Sequence, residues 1–414
     1  MKFGGTSVGD AACIQRAAAI VEQQRDRSAA VGAVVVVSAA AGVTRGLLEL
    51  GAHAAARRHD AVRVEVDDLQ ARHHRMRREL GLDDAADGEV RRHLDERFAE
   101  LDNVIGEVES AADYSPRRQD AVISFGERLS SVLLAAALRR TGLPVQQVAA
   151  QQIIVTDARF RAARPDKPAI ERRARATVAA AVAAGDVVVT EGFIGSTVAG
   201  EVTTMGFEAS DLSASLLGAA LDAREVQIWT DVPGMLSTGH AAVAEPRLVP
   251  RLTFDEAAEL ALFGAKVLHP ETVSPARDKG IPVRILHSRN PAGAGTLITG
   301  ISGAAHPAGD ARTVKSIAVT EDPQDESFAG VRATLRWEHA AGWQGRAIVC
   351  PVGEGIGSSE AIIEAALRAL DGIPASLPLG RRPHAIPIAV SREQVADAVA
   401  RLHEALIGIY SQLK

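Results

Sequence analysis

The second residue of the chain is a lysine, and glycines and hydroxyl side chains follow it at once. Lys2 precedes the pair Gly4 and Gly5, and Thr6 and Ser7 come next. Paired glycines let a backbone approach a ligand closely, and the N–H groups of such a turn bind phosphate oxygens. A nearby lysine adds positive charge. The stretch therefore predicts a phosphate-binding turn, although Walker A spacing is absent and many glycine pairs are plain tight turns.

Three further segments combine glycines with polar side chains where helices are predicted to begin. Ser38 follows a run of four valines, and Thr44 opens the next predicted helix. Glu127 comes directly after Gly126, and Asp211 lies in a segment rich in glycine and hydroxyl residues. A carboxylate in the first turn of a helix is stabilised by the helix dipole. A structural and a ligand-binding explanation therefore both stay open for each of these acids.

Strand-like and helix-like segments alternate between these polar positions. Valine-rich runs such as "AVVVV" and "DVVVT" are typical of strands that are buried on both faces of a parallel sheet. The segments between them carry apolar residues at helical spacing. The alternation predicts an α/β fold, a three-layer αβα sandwich with a mainly parallel central sheet. The segment "DAVISF" is also predicted as a strand, which would place Glu127 at a strand-to-helix turn.

Residues 51–113 have a different character. They are rich in Arg, His, Asp and Glu at helical spacing and contain no strand candidate. They predict two long amphipathic helices, inserted at one edge of the sheet. The adjacent His73 and His74 invite a metal-binding interpretation, but neighbouring residues on a helix do not share a face. A solvated helix surface is therefore the expected explanation for both.

A segment rich in Gly, Ala and Pro at residues 300–312 predicts a domain boundary. We expect one domain at 1–300, which includes the helical insertion 51–113, and a second domain at 313–414. In the second domain the pattern predicts strands, a helix, two more strands and a closing helix, which is typical of a small α+β domain.

Composition and charge exclude several classes of protein. The formal net charge is −6 and no long basic block occurs, which argues against nucleic-acid binding. Cys13 and Cys350 are the two cysteines of the sequence, so no disulfide framework and no thiolate metal site is indicated. No apolar run approaches the roughly 20 residues that span a bilayer, and no secretory pattern is evident. We expect a cytoplasmic protein without a membrane partner.

Seven short motifs occur in the order, and at about the spacing, found in aspartokinases of the amino-acid kinase superfamily. They are "KFGGTSV", "SFGERLSS", "TDARF", "EGFIGST", "WTDVPGM", "EPRLVP" and "FGAKVLHPETV". "KFGGTSV" and "GAKVLHP" are specific signatures, and the resemblance covers residues 1 to about 300. It implies the amino-acid kinase fold and phosphorylation of an amino acid's side-chain carboxylate, most simply that of L-aspartate, by ATP with Mg²⁺.

The resemblance also implies roles for individual residues. The implied catalytic positions are Lys2 and Asp211. The implied nucleotide-binding positions are Lys2, Gly4, Gly5, Thr6, Thr230, Asp231, Arg247 and Lys266. The positions around the acceptor amino acid are Ser38, Thr44, Glu127 and Phe207, of which Glu127 would hold the substrate ammonium group. No protein ligand to the metal is implied, because Mg²⁺ would be bound through the phosphates of ATP.

One motif departs from the family pattern. Most of the family reads Gly-Arg-Gly-Gly-Ser-Asp where this sequence reads "GFEASD", so that Phe207 replaces the arginine expected to bind a substrate carboxylate. Phenylalanine cannot make a charge-assisted fork to a carboxylate, and Glu208 adds a negative charge. Either another basic residue such as Arg128 or Arg159 does this, or the acceptor is another amino or hydroxy acid. A nucleotide-binding regulatory homologue without turnover is the third alternative.

The second predicted domain resembles an ACT module, in element order alone. The resemblance implies a regulatory domain, or a dimerisation domain that makes the protein a homodimer or a higher homo-oligomer. Gly353 and Gly355 lie near the expected effector position, but they also fit a plain turn before a helix.

Overall fold

The computed structural model describes residues 1–27, 32–206, 209–265, 270–300, 313–321, 345–377 and 382–408. The chain divides into two compact units. The first unit consists of Met1–Asp231, Ser274–Ile281 and Leu286–Ala292. The second consists of Val232–Val273, Pro282–Ile285 and Gly293–Lys414. These units do not follow the segment at 300–312, and the predicted division into domains 1–300 and 313–414 stays a prediction.

The first unit is built on a parallel sheet. Its strands are β1 (Lys2–Phe3), β2 (Ala33–Val37), β3 (Val145–Gln147), β4 (Val187–Glu191), β5 (Ile194–Ser196), β6 (Val202–Thr204) and β7 (Val226–Thr230). Five of them form parallel pairs in the order β3-β4-β2-β1-β7, and β5 and β6 form an antiparallel hairpin. The valines of β2 and β4 are largely buried, as the continuous valine runs predict for a sheet covered on both faces.

Helices cover this sheet. They are α1 (Ala11–Arg27), α2 (Val43–Ala55), α3 (His59–Glu79), α4 (Asp84–Ala111), α5 (Pro116–Ile123), α6 (Phe125–Arg140), α7 (Ala150–Ile153), α8 (Lys167–Thr177), α9 (Ala179–Ala183) and α10 (Ala209–Ala220). Helix α6 packs on β2, β3 and β4, whereas α10 packs on β1, β2 and β7. The predicted α/β fold with a mainly parallel central sheet between helices is confirmed.

The helical insertion contains the two predicted amphipathic helices, α3 and α4. The side chain of Asp83 caps α4 by accepting a hydrogen bond from the Ala86 N–H. The prediction of a solvated surface was wrong for His73, which is fully buried and packs edge-on against Phe98. Burial lowers the pKa of His73 to about 4. His73 is buried because it lies on the face of α3 that packs against Phe98 of α4. The neighbouring His74 forms a pair with Asp95, with Nε2 and Oδ1 3.0 Å apart. No cluster of three metal-ligating side chains occurs among the described residues.

Residues 116–123 form helix α5, so the strand predicted for "DAVISF" was wrong. Pro116 begins the helix, a position that suits proline because the first N–H of a helix has no partner within it. The stretch Pro116–Arg140 is, by length and composition alone, long and apolar enough to cross a membrane. However, 89% of its most apolar window is buried inside the fold, as is typical of a helix in a protein core.

The second unit contains two small sets of strands. The remaining elements of the chain are β8 (Arg251–Thr253), α11 (Phe254–Leu262), α12 (Pro270–Asp278), β9 (Val283–His287), β10 (Thr296–Thr299), β11 (Ser316–Thr320), β12 (Arg346–Val352), α13 (Glu360–Ala369), β13 (Ile388–Ser391) and α14 (Val395–His403). Both α12 and β9 contain residues of each unit. Strand β10 pairs with β8 and β9, and β11, β12 and β13 form an antiparallel sheet. The predicted strand "IPASLPLG" contributes an isolated bridge between Ser376 and Ala389 within its described part.

Candidate active site

Lys2 is held by the centre of the parallel sheet. Strand β1 lies between β2 and β7, and Lys2 is in register with Val36 on one side and with Ile228 on the other. The Lys2 side chain is 12% exposed, and its Nζ lies 2.7 Å from Oδ1 of Asp211. Asp211 stands in the first turn of α10 and is itself buried. Parallel neighbours on both sides therefore fix the backbone that carries Lys2.

Of the two glycines after Lys2, Gly5 is the one that the packing requires. A Cβ on Gly5 would stand 2.8 Å from the Ala39 carbonyl oxygen, whereas a Cβ on Gly4 would be in ordinary contact with the Lys2 Nζ at 3.5 Å. The N–H of Gly4 donates to the Trp229 carbonyl, and Thr6 is exposed at the surface of the turn. The lysine and the open turn beside it are suited to phosphate oxygens.

The loop between β2 and α2 lies against this glycine turn. The N–H of Ser38 donates to the Phe3 carbonyl, and the N–H of Ala41 donates to the Gly5 carbonyl, both at 3.1 Å. Gly42 takes a φ of +85° as the N-cap of α2, a conformation that favours glycine. Thr44 follows as the second residue of α2. The structure thus brings the Ser38 and Thr44 segment next to the turn that follows Lys2.

Glu127 reaches the same loop from helix α6. It is 3% exposed, and its Oε1 accepts a hydrogen bond from the Ala39 N–H at 3.0 Å. Its Oε2 is buried and has no hydrogen-bond partner among the described residues. Burial raises the pKa of Glu127 to about 8. A buried carboxylate oxygen without a partner costs free energy unless a cation or a donor pairs with it, so this atom is a candidate contact for a ligand ammonium group.

Arg72 is a residue of this site that the sequence did not indicate. Its guanidinium Nη2 donates to the Ala41 carbonyl at 2.9 Å and to the Gly9 carbonyl at 3.1 Å. These acceptors belong to the loop after β2 and to the segment after the glycine turn. One side chain of the helical insertion therefore joins the two loops. In the sequence Arg72 lies within a charge-rich helix, where nothing distinguishes it from the neighbouring arginines.

Two of the other predicted nucleotide contacts lie at the carboxyl end of β7, the strand that pairs with β1. Thr230 is the last residue of β7 and Asp231 follows it, and the Thr230 hydroxyl donates to the Asp231 carboxylate at 3.2 Å. Arg247 belongs to the second unit, and its guanidinium contacts the Ile407 carbonyl at 3.5 Å. Phe207 and Lys266 lie outside the described residues. The nucleotide roles of Thr230, Asp231, Arg247 and Lys266 and the acceptor role of Phe207 stay predictions.

The two arginines suggested as substitutes for the missing family arginine are both engaged elsewhere. Arg128 forms an ion pair with Glu100, and its guanidinium lies 4.3 Å from the centre of the Phe125 ring. Burial lowers the pKa of Arg128. Arg159 pairs with Asp157 at 3.3 Å, and its side chain is 59% exposed. Neither guanidinium is held ready for a substrate carboxylate.

A buried carboxylate fixes the backbone beside the divergent motif. Asp120 of α5 is fully buried, and its Oδ2 accepts hydrogen bonds from the N–H groups of Arg161 and Thr204, both at 2.9 Å. Its Oδ1 accepts a third from the Thr204 hydroxyl at 2.5 Å. Burial raises the pKa of Asp120, and these three donors oppose that rise. The carboxylate therefore ties the segment around Arg161 to the end of β6.

We expect the Asp120→Ala variant to lose about 3 kcal/mol in the free energy of unfolding, because two buried N–H groups and a hydroxyl would lose their acceptor. Urea denaturation measures this change. The matched control is Asp157→Ala, which removes a mostly exposed carboxylate that accepts two N–H groups in the same segment. We expect the control to lose under about 1 kcal/mol. Equal losses for the two variants would contradict the role given to Asp120.

Comparison with known proteins is consistent with this geometry. Residues 1–287 match the model of the amino acid kinase family. The chain is 38% identical over 298 residues to the lysine-sensitive aspartokinase 3 of Escherichia coli K12, covering 72% of this chain and 63% of that protein. It is 36% identical to the chloroplastic aspartokinase 3 of Arabidopsis thaliana, covering 72% and 52%. The matched region thus spans less than two thirds of either relative's length.

A solved structure is similar over nearly the whole chain. It is the E. coli aspartokinase III in complex with aspartate and ADP, in its R-state, with a TM-score of 0.77 and 25% sequence identity. The similarity covers 98% of this chain and 99% of that one. The fold and the sequence motifs therefore point to the same relatives.

Proposed function

The chain belongs to the amino acid kinase family, and from this premise we propose that it transfers the γ-phosphoryl group of ATP to the side-chain carboxylate of L-aspartate. The observation that carries the proposal is the position of Lys2. Its ammonium group lies 2.7 Å from Asp211, beside the open turn formed by Gly4 and Gly5. The similar E. coli structure, which is described with aspartate and ADP, supports the same pair of substrates.

In this proposal the chain positions its substrates and stabilises charge. A carboxylate is already ionised at neutral pH, so an acceptor oxygen attacks the γ-phosphorus without a general base. The bond from the γ-phosphorus to the bridging oxygen breaks, and ADP leaves with the electron pair. The ammonium of Lys2 and the N–H groups of the glycine turn other than that of Gly4, which donates to the Trp229 carbonyl, stabilise the negative charge on the phosphoryl oxygens. Asp211 holds the Lys2 side chain in place, and Glu127 binds the acceptor's ammonium group.

Magnesium fits this arrangement as a partner of the nucleotide. Mg²⁺ usually keeps several water ligands and binds through phosphates and one or two carboxylates. The described residues hold no cluster of three acidic, histidine or cysteine side chains that would form a protein cage for a metal. When bound, the ion would neutralise charge on the β- and γ-phosphates.

An acceptor screen tests the proposed function directly. Purified protein with Mg·ATP should release ADP when L-aspartate is added, and hydroxylamine should trap the acyl phosphate as a hydroxamate. L-Glutamate, L-malate and L-homoserine serve as alternative acceptors in the same assay. ADP release with one of these but not with aspartate would identify a different acceptor. Nucleotide binding without ADP release for any acceptor would favour a homologue without turnover.

The residues at positions 207 and 208 are the reason for testing acceptors other than aspartate. Phe207 and Glu208 bring no positive charge to a position where a dianionic substrate needs one. An acceptor with fewer negative charges than aspartate would require less compensation there. The screen therefore includes an amino acid that has a hydroxyl group in place of the side-chain carboxylate.

We expect the Arg72→Met variant to lower kcat about tenfold, because the two loops that bear the phosphate turn and the acceptor segment would lose their shared donor. Steady-state kinetics at saturating aspartate and ATP measures the change. Arg72→Lys should recover part of the loss. Arg75→Met is the matched control on the same helix, since Arg75 is exposed. A kcat for Arg72→Met equal to that of the control would contradict a positioning role.

The second unit supports a proposed ACT-like module at 313–414. The antiparallel sheet β11-β12-β13 carries α13 and α14, and their buried apolar side chains form a separate core. We propose that this module mediates homo-oligomerisation or effector binding in a cytoplasmic enzyme. Light scattering gives the oligomeric state, and a thermal-shift panel of lysine, threonine and methionine detects an effector, because a ligand bound by the folded state raises its melting temperature.

A further inference from the structure

The proposed acceptor needs a second positive partner. Aspartate carries two carboxylates, and phosphoryl transfer next to Lys2 accounts for one of them. The other must be held by a cation or by several donors, since leaving it unpaired in a closed site is costly. The sequence supplies Phe207 and Glu208 where the family has an arginine and a glycine. Arg128 and Arg159 are already paired with Glu100 and Asp157.

Arg161 has an unusual backbone at the relevant place. Its φ is +73°, in the left-handed region of backbone conformation that residues other than glycine, asparagine and aspartate rarely adopt. Its carbonyl oxygen would lie 3.5 Å from a Cβ on Gly206, the residue directly before Phe207. Such a conformation costs free energy and persists where the surrounding structure enforces it. Here the bond from the Arg161 N–H to the buried Asp120 enforces it.

The guanidinium of Arg161 has no anionic partner among the residues that the structure describes. The side chain is partly buried, and it forms no ion pair or side-chain hydrogen bond with any residue in the described ranges. Its charge nevertheless reaches the buried carboxyl of Asp120 and the phenol of Tyr114, whose pKa values it lowers against the effect of burial. Arg161 therefore lies near the end of β6 and beside Gly206, and none of the described residues forms a direct ion pair with its guanidinium.

We propose that Arg161 binds the α-carboxylate of the acceptor amino acid and so replaces the arginine that is absent at position 207. This proposal rests on the proposed function. An arginine makes two parallel hydrogen bonds to a carboxylate, and the Arg161 backbone lies beside Gly206, the residue that directly precedes the family position in sequence. Arg161 is then the residue that determines whether the acceptor must carry an α-carboxylate.

The test compares L-aspartate with its α-amide, which lacks that carboxylate. The unchanged chain should prefer aspartate, and Arg161→Gly should raise the KM for aspartate about 30-fold, the range expected for a lost charge-assisted hydrogen bond. The KM for ATP should not change. The variant should also lose its discrimination against the α-amide. Glycine favours a positive φ, so the variant is expected to fold.

Three further variants sharpen the result. Arg161→Lys should retain part of the affinity. Arg161→Gly combined with Phe207→Arg should recover the KM for aspartate, because the charge returns to the family position. Arg164→Gly is the matched control, since Arg164 is exposed in the same segment, and it should behave like the unchanged chain. An unaltered KM and an unaltered preference in Arg161→Gly would overturn the proposal while leaving the proposed function intact.

The two proposals can fail separately. If the unchanged chain releases no ADP with aspartate, the proposed function fails, and calorimetric titration of aspartate into the unchanged chain and Arg161→Gly decides the role of Arg161. Weaker binding to the variant supports the role. Equal binding, or no binding to either protein, overturns it.

Discussion

We expect the Lys2→Ala variant to turn over at least about 100-fold more slowly than the unchanged chain. Loss of one preorganised donor at a developing negative charge costs about 2.7–4 kcal/mol in activation free energy. Lys2 is such a donor, because two parallel neighbours fix its strand and Asp211 holds its Nζ at 2.7 Å. The measurement is ADP release at saturating ATP and aspartate.

Controls separate catalysis from stability in this prediction. Lys2→Ala leaves the buried Asp211 carboxylate unpaired, which by itself destabilises the fold. The double variant Lys2→Ala with Asp211→Asn removes that charge, so it should be more stable than Lys2→Ala and still turn over slowly. Lys167→Ala is the surface control, because Lys167 pairs with Asp278 and is 53% exposed. Near-normal turnover in Lys2→Ala would refute the central assignment.

We expect Glu127→Gln to lower kcat/KM for the acceptor about 100-fold while the KM for ATP stays within about twofold. The carboxylate would pair with the acceptor's ammonium group, and truncating one partner of a buried charge pair costs about 2–5 kcal/mol. The amide keeps an oxygen for the Ala39 N–H, which donates to Oε1 at 3.0 Å, so the loop should be preserved. Varying aspartate and ATP separately in steady-state kinetics gives the two constants.

The pH dependence follows from the raised pKa of Glu127. Burial raises that pKa to about 8, so the free protein holds this carboxyl largely protonated at pH 7. Binding an ammonium requires the ionised form, and the KM for the acceptor should therefore fall as the pH rises from 6.5 to about 8.5. In the free protein, stability should decline as the pH rises from about 4.5 to 8, because the unfolded chain releases this proton first.

Glu127→Gln should remove both pH effects. Glu201→Gln is the matched control, because Glu201 lies in the turn between β5 and β6 and its side chain is 32% exposed. The control should keep the acceptor kinetics and the pH profile of the unchanged chain. A Glu127→Gln variant with an unchanged profile would assign the titration to another group and would leave the acceptor without its proposed anionic contact.

Local pattern was sufficient for the parts of the fold where one residue type determines the environment. The valine runs of β2 and β4 predict strands buried on both faces because β-branched side chains pack well there. The paired glycines of the Lys2 stretch likewise predict a tight turn after β1, whereas the phosphate-binding role of that turn stays a prediction. These predictions depend on residues that are neighbours in sequence. Interactions between such residues can be inferred without a structure.

The failures have a common physical cause, which is contact between residues far apart in sequence. Helix α5 contains an apolar run that is also typical of a strand. Its Asp120 tolerates burial because it accepts hydrogen bonds from the N–H groups of Thr204 and Arg161. His73 is buried because α3 packs against α4. Arg72 takes part in the site through carbonyl groups of Gly9 and Ala41. Local periodicity carries no information about such partners.

The position of β1 in the middle of its sheet has a consequence for synthesis of the protein. Lys2 is synthesised well before one of its two neighbouring strands, β7, which ends at Thr230. At about 5–20 residues per second, roughly 10 to 45 seconds separate their translation. During that interval β1 lacks its β7 neighbour, and the edge that β7 later covers is open to mispairing and to chaperones.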